Sequence, residues 1–164
     1  MTIDANKRYV ATLETSLGDI FVEMLPKEAP RTVNNFVFLA RDGFYDGTRF
    51  HRVIKGFMLQ GGDPLGNGTG GPGYRFNDEP ISRDYTPGIM AMANSGANTN
   101  GSQFFIMHGS AALPKAYVIF GRVIEGQDVV DKIASVQVGP GNAGETSRPV
   151  QDVILKKVTI AETG

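Results

Sequence analysis

The stretch Phe50-His51-Arg52-Val53-Ile54-Lys55-Gly56-Phe57-Met58-Leu59-Gln60-Gly61-Gly62 constrains the chain more than any other. Two short apolar runs flank a Lys55-Gly56 break, which reads as strand, tight turn, strand. The second run ends in a glycine pair, where the backbone must bend or be closely approached. One cation (Arg52), one amide (Gln60) and two large soft hydrophobes (Phe57, Met58) fall within nine positions. That mixture suits a small pocket that grips an apolar ring and aims donors at a polar bond. It also suits an ordinary hairpin with a surface arginine, so the rest of the chain has to decide.

The remainder is mostly short β-forming runs. Residues 9–13 and 17–25 are separated by Glu14-Thr15-Ser16 and predict a hairpin, with Ile20, Val22 and Met24 on one face of its second strand. From Ala29 the period changes: Val33, Phe36, Val37 and Ala40 form the stripe of an amphipathic helix, with Pro30 in its first turn and Gly43 at its stop. Residues 88–93 and 103–107 read as strands joined by a polar loop, followed by a strand over 118–124. Val129, Val130, Ile133 and Ala134 mark a second, shorter helix, and 153–160 a closing strand. The Gly/Pro-rich segment 139–149 reads as a surface loop. About eight strands with short connections curl readily into a closed antiparallel barrel whose interior holds only its own side chains. A ligand site then belongs on an outer face. Alternation puts Gln103 and Phe105 on one face and Phe104 on the other, so Phe104 is the core candidate, as are Met90 and Met92.

Composition excludes several classes. The 164 residues suit one domain, 1–164, with a sizeable core. A net charge of −1 offers no basic surface for nucleic acid. Cysteine is absent and histidine is limited to His51 and His108, which argues against a metal site. His51 reads as a structural residue, His108 as exposed and without a partner, and Asp63 as a turn residue. The segment 66–73 formally satisfies G-x-G-x-x-G, but Pro72 and Gly73 follow at once and no helix begins there to meet a phosphate. The first residues mix Asp4, Lys7 and Arg8 among single apolar ones, with no secretory core, and no run is long and apolar enough to span a membrane. A cytoplasmic location is expected.

Two longer motifs carry a family resemblance. Phe50-His51-Arg52-Val53-Ile54-x-Gly56-Phe57-Met58-x-Gln60-Gly61-Gly62-Asp63 resembles the first cyclophilin signature. Gly88-Ile89-x-Ala91-Met92-Ala93-Asn94-x-Gly96-x-Asn98-Thr99-Asn100-Gly101-Ser102-Gln103-Phe104-Phe105-Ile106 resembles the second, and Ile119-Phe120-Gly121-Arg122-Val123 extends the likeness. The chain looks most like the short single-domain bacterial members. The resemblance implies a closed eight-stranded antiparallel β-barrel capped by two α-helices, with peptidyl-prolyl cis–trans isomerase activity and no cofactor. By position Arg52 is the catalytic arginine. Phe57, Met58, Phe105 and Leu113 form the proline pocket with Ala93 at its wall, and Gln60, Asn94 and Gln103 hold or flank the substrate backbone. Tyr117 stands where many relatives carry histidine, and Gly68 and Thr69 border the neighbouring subsite. The implied partners are Pro-containing peptides and partly folded proteins, met by a monomer.

The loop from Met107 to Tyr117 lacks the tryptophan that many cyclophilins carry there, and the whole chain has none. Weakened binding of the cyclic peptide cyclosporin is therefore expected. A competing reading from a different class is a barrel that docks proline segments with turnover incidental. Arg52 argues for the enzyme, because binding alone needs no donor poised at the prolyl nitrogen.

Overall fold

The computed structural model describes residues 2–164. Alternation builds its first hairpin. In β1 (Arg8–Thr15) Tyr9, Ala11, Leu13 and Thr15 point inward, and in β2 (Gly18–Met24) Ile20, Val22 and Met24 do. Ser16 and Leu17 form the turn. Helix α1 (Pro30–Arg41) follows, with proline in its first turn and Val33, Phe36, Val37 and Ala40 buried. Its N-cap, Ala29, has no side chain able to accept a hydrogen bond. Glu79 does that work from a distance, taking the N–H groups of Arg31 (3.0 Å) and Thr32 (2.7 Å), where a negative charge also suits the helix dipole.

The remaining strands are β3 (Thr48–Arg49), β4 (Arg52–Ile54), β5 (Met58–Gly61), β6 (Ile89–Met92), β7 (Phe104–Met107) and β8 (Ile119–Glu125). Helix α2 (Gln127–Ala134) buries Val129, Val130, Ile133 and Ala134. After it come β9 (Val138–Pro140), β10 (Thr146–Pro149) and β11 (Ile154–Thr163). Nine strands form one sheet in the order β3-β11-β1-β2-β8-β6-β7-β5-β4, with every pairing antiparallel. The sheet curls into a half-barrel. Its edges, β3 and β4, are consecutive in the chain and separated only by Phe50 and His51, and no ladder joins them, so hydrogen bonds do not close the barrel.

Segment 139–149 is more ordered than a loop. β9 and β10 pair as a two-stranded sheet around a single 3-10 turn, Asn142–Gly144. The turn is tied by Gly141 N–H to Glu145 O (2.6 Å) and Glu145 N–H to Asn142 O (3.1 Å), while Ser147 and Pro149 are buried. Strands this short and this rich in glycine and proline leave no periodic signal.

Alternation divides the apolar side chains into two clusters on opposite faces of the sheet. The larger lies beneath α1 and α2 and includes Phe36, Tyr45, Phe50, Leu59, Met90, Met92, Phe104 and Phe120. Phe36 packs on Tyr45, Phe104 and Phe120 with ring centroids 5.0, 5.8 and 5.5 Å apart. The smaller cluster holds Met58, Tyr85, Ala91, Phe105 and Ile119, with Phe57, Ala93, Leu113 and Tyr117 packed against it. The interior is thus filled, and the outer face carries a second apolar patch.

Candidate active site

Register assembles the centre of this outer face. Arg52 on β4 is paired with Gln60 on β5, Gln60 with Phe105 on β7, and Phe105 with Ala91 on β6. Paired residues project to the same side, so a cation, an amide and an aromatic ring stand in a row across three strands. Phe57 closes the β4–β5 turn, where Gly56 takes φ +81° and Phe57 N–H reaches Ile54 O (3.0 Å). Met58 is buried beneath it. From the far side Tyr117 meets Phe105 edge-on at 5.6 Å, and the Tyr85 hydroxyl, donating to Tyr117 O (2.6 Å), fixes that segment.

These residues line a cleft of about 610 Å³ that contains Arg52, Phe57, Met58, Gln60, Ala93, Asn94, Phe105, Leu113 and Tyr117. Gln103 lies outside it, in an adjoining cavity of about 510 Å³ that also holds Gly68, Thr69, Gly70, Gly71, Pro72 and Gly73. The two share Gln60, Gly68, Ala93 and Asn94. Asn94 turns its side-chain amide toward the 107–117 loop, donating to Ala116 O (2.8 Å).

A polar chain crosses the floor. Arg52 donates from Nη1 to Gln60 Oε1 (3.3 Å), Gln60 from Nε2 to Gln103 Oε1 (3.0 Å), and Gln103 from Nε2 to the carbonyls of Gly68 and Gly70 (3.0 Å each). The glycine loop is itself held by Asp63. This fully buried carboxylate accepts the backbone N–H groups of Leu65 (2.8 Å), Asn67 (3.1 Å) and Gly68 (2.6 Å). Burial opposes its charge, but these donors prevail and hold its pKa below the ordinary aspartate value. Burial pushes the His51 imidazole down, against the pull of Asp63 and with the push of Arg148 and Arg52.

The sequence reading missed Glu145. Its carboxylate grips Arg52 at Nε (2.8 Å) and Nη2 (3.0 Å), and the Arg52 hydrogen bonds lower its pKa to about 2 despite partial burial. Asn142, Ser147 and Arg148 line the same end of the cleft. No local pattern announces any of them, because they meet the site only through the fold. His108 is also corrected, for it has two partners. Its Nδ1 accepts the Gly56 N–H (2.8 Å) and its Nε2 lies 3.1 Å from Asp131 Oδ1. It braces the turn that carries Phe57.

Known proteins resemble this chain in sequence and in overall fold. A family model described as cyclophilin type peptidyl-prolyl cis-trans isomerase/CLD matches residues 10–160. The peptidyl-prolyl cis-trans isomerase B of Streptomyces anulatus is 48% identical, with 92% of this chain and 95% of that protein covered. The peptidyl-prolyl cis-trans isomerase CYP18-1 of Arabidopsis thaliana is also 48% identical, covering 91% of this chain and 94% of its own length. A crystal structure of a Cryptosporidium parvum cyclophilin type peptidyl-prolyl cis-trans isomerase superposes with a TM-score of 0.84 at 34% identity, over 96% of this chain and 99% of that one. The same parasite enzyme in the presence of the dipeptide Ala-Pro gives 0.83 at 35%, over 94% and 99%. With sequence and overall fold alike along nearly its whole length, this chain belongs to the cyclophilin-type peptidyl-prolyl cis–trans isomerase family.

Proposed function

We propose that the chain accelerates cis–trans rotation about X-Pro peptide bonds, with Arg52 as the catalytic residue. The observation that carries this reading is the row Arg52, Gln60, Phe105 beside an apolar cleft. Placing an X-Pro bond in cis costs only about 0.5–1 kcal/mol, yet exchange is slow because rotation breaks amide resonance, a barrier of roughly 18–20 kcal/mol. No covalent bond is broken, so the task is to favour the twisted state over both planar ones. As the amide twists, the prolyl nitrogen becomes pyramidal and regains a lone pair. A guanidinium N–H can donate to that lone pair and has no such acceptor in the planar amide. Only stabilisation selective for the transition state speeds the step.

Phe57, Met58, Phe105 and Leu113 seat the pyrrolidine ring while the preceding carbonyl swings, with Ala93 as a wall and Tyr117 edge-on to Phe105. The apolar seat also removes water, which favours the less polar twisted amide. Gln60, Asn94 and Gln103 flank the substrate backbone, and the cavity beside Gly68 and Thr69 takes the residues before proline. The substrates are Pro-containing peptides and partly folded proteins, which suits assistance of slow folding steps.

Residues 1–164 are read as one such domain, acting as a monomer in the cytoplasm. Among the described residues no helix is long and apolar enough to cross a membrane. Taking β3 and β4 as one strand bent at Phe50-His51 makes the sheet an eight-stranded barrel closed through the chain itself. This is supported by β3 pairing with β11 and β4 with β5. The test of function is exchange NMR, or a protease-coupled assay, on a short Pro-containing peptide. Exchange accelerated by catalytic amounts of protein is the expected result. Binding without acceleration would make this a proline-docking module instead.

A further inference from the structure

Glu145 lines the cleft, touches Arg52 directly and has no role in the reaction as set out above. It belongs to the short segment between the 3-10 turn and β10, and two backbone hydrogen bonds fix it there, Gly141 N–H to Glu145 O (2.6 Å) and Glu145 N–H to Asn142 O (3.1 Å). Its two oxygens take the Nε–Nη2 edge of Arg52 at 2.8 and 3.0 Å. A planar guanidinium held through two parallel N–H···O bonds loses its freedom to turn.

The other terminal nitrogen, Nη1, points to Gln60 Oε1 (3.3 Å). The sense of that bond is determined from afar. Gln103 directs its amide nitrogen to the carbonyls of Gly68 and Gly70, so it can offer Gln60 only an oxygen. Gln60 must meet that oxygen with its own nitrogen and therefore turns its oxygen to Arg52. At the opposite end the Glu145 carboxylate can only accept. Arg52 is thus gripped on two edges by acceptors that cannot reverse, and each terminal nitrogen keeps a second N–H unspent.

We infer that Glu145 is a positioning residue of the isomerase: by clamping the Nε–Nη2 edge of Arg52, it holds the guanidinium in place to receive the twisted prolyl nitrogen. The inference rests on the isomerase reading. Donors already oriented where charge develops need no reorganisation during the reaction, and that advantage is lost when the arginine can swing. Glu145 stays ionised through the neutral range, since Arg52 holds its carboxyl far below it. The clamp is therefore set throughout that range. The proline seat is made by other residues, so ground-state binding does not depend on it.

Glu145→Gln keeps the shape and removes the charge, and four measurements separate its effects. By exchange NMR at saturating peptide, kcat falls roughly three- to tenfold, the loss expected of a half-exposed charged contact. By calorimetry, peptide Kd stays within about twofold. In an Arg52→Ala background the same substitution changes kcat by less than about twofold, since nothing remains to be positioned. The Arg52 Nε–H signal, sharp and slow to exchange with water in the wild type, broadens or vanishes in the variant. An unchanged kcat, an equal loss with and without Arg52, or a loss confined to Kd each overturns the proposal. A wild-type chain that fails to accelerate exchange defeats the isomerase reading instead, and the Arg52 Nε–H signal then decides whether Glu145 clamps the guanidinium.

Discussion

Arg52 and Glu145 lie 93 positions apart and share two hydrogen bonds, whereas Arg52 and Gln60 face each other across one hairpin. The second relation is legible in sequence because a tight turn fixes register. The first is not, because nothing local specifies where a Gly/Pro-rich segment will dock. His51 shows a further limit. Both His51 and Arg52 line the cleft, but His51 is buried, and its Nδ1 has no hydrogen-bond partner among the described residues. Burial lowers its pKa, with Asp63 opposing and Arg148 and Arg52 reinforcing the shift. The folded state therefore resists protonation, and as pH falls below the ordinary histidine value of about 6.5 the unfolded chain binds the proton first. This contribution to stability is complete above that pH and declines below it. Thermal unfolding at pH 7.5 and pH 5 should show a smaller acid loss for His51→Gln than for the wild type. An identical loss in both would remove His51 from the account.

At the scale of elements, the hairpins and both helices follow from periodicity, and their observed ends shift by only a few residues from the expected ones. Two features do not follow. Segment 139–149 folds as two tiny strands about a 3-10 turn, and the stretch 48–54 splits at Phe50-His51. Both are tertiary outcomes: Phe50 drives its ring into the core, and its N–H reaches Val153 O at 3.0 Å. The glycine pair ending β5 was legible as a close approach, and the structure says to what. At Gly62, φ is +87°, and an added Cβ would lie 2.6 Å from Ser102 O and 2.9 Å from Phe104 Cδ1. A backbone oxygen and a packed ring cannot give way cheaply. Gly62→Ala should destabilise the protein by at least about 1–3 kcal/mol, whereas Gly71→Ala, with open space around it, should be nearly neutral in denaturant unfolding. Equal midpoints for the two variants would contradict this packing.

At the scale of the molecule, the fold gathers one working face from distant segments: a hairpin, the strand β7, the 107–117 loop and the segment carrying Glu145. The loop bears on inhibitor binding. Leu113 lines the cleft, its neighbour Ala112 is exposed, and the chain has no tryptophan to supply an indole N–H at the rim. A buried inhibitor carbonyl left unpaired costs about 1–3 kcal/mol, or roughly 5- to 150-fold in affinity. Cyclosporin should therefore inhibit weakly, and Ala112→Trp should recover part of the affinity without raising activity. Tight inhibition of the wild type, or no gain in the variant, would show that the indole is not what matters here. We propose more narrowly that this face lowers the barrier to rotation because Arg52 meets the prolyl nitrogen only when the amide is twisted. The direct measurement sets wild type beside Arg52→Ala, with kcat/KM from exchange NMR and Kd from titration of the same Pro-containing peptide. The account predicts a fall in kcat/KM of at least about tenfold, or about 1.4 kcal/mol of transition-state stabilisation, with a much smaller change in Kd. A variant that keeps near-normal kcat/KM, or loses binding and rate in equal measure, would contradict it.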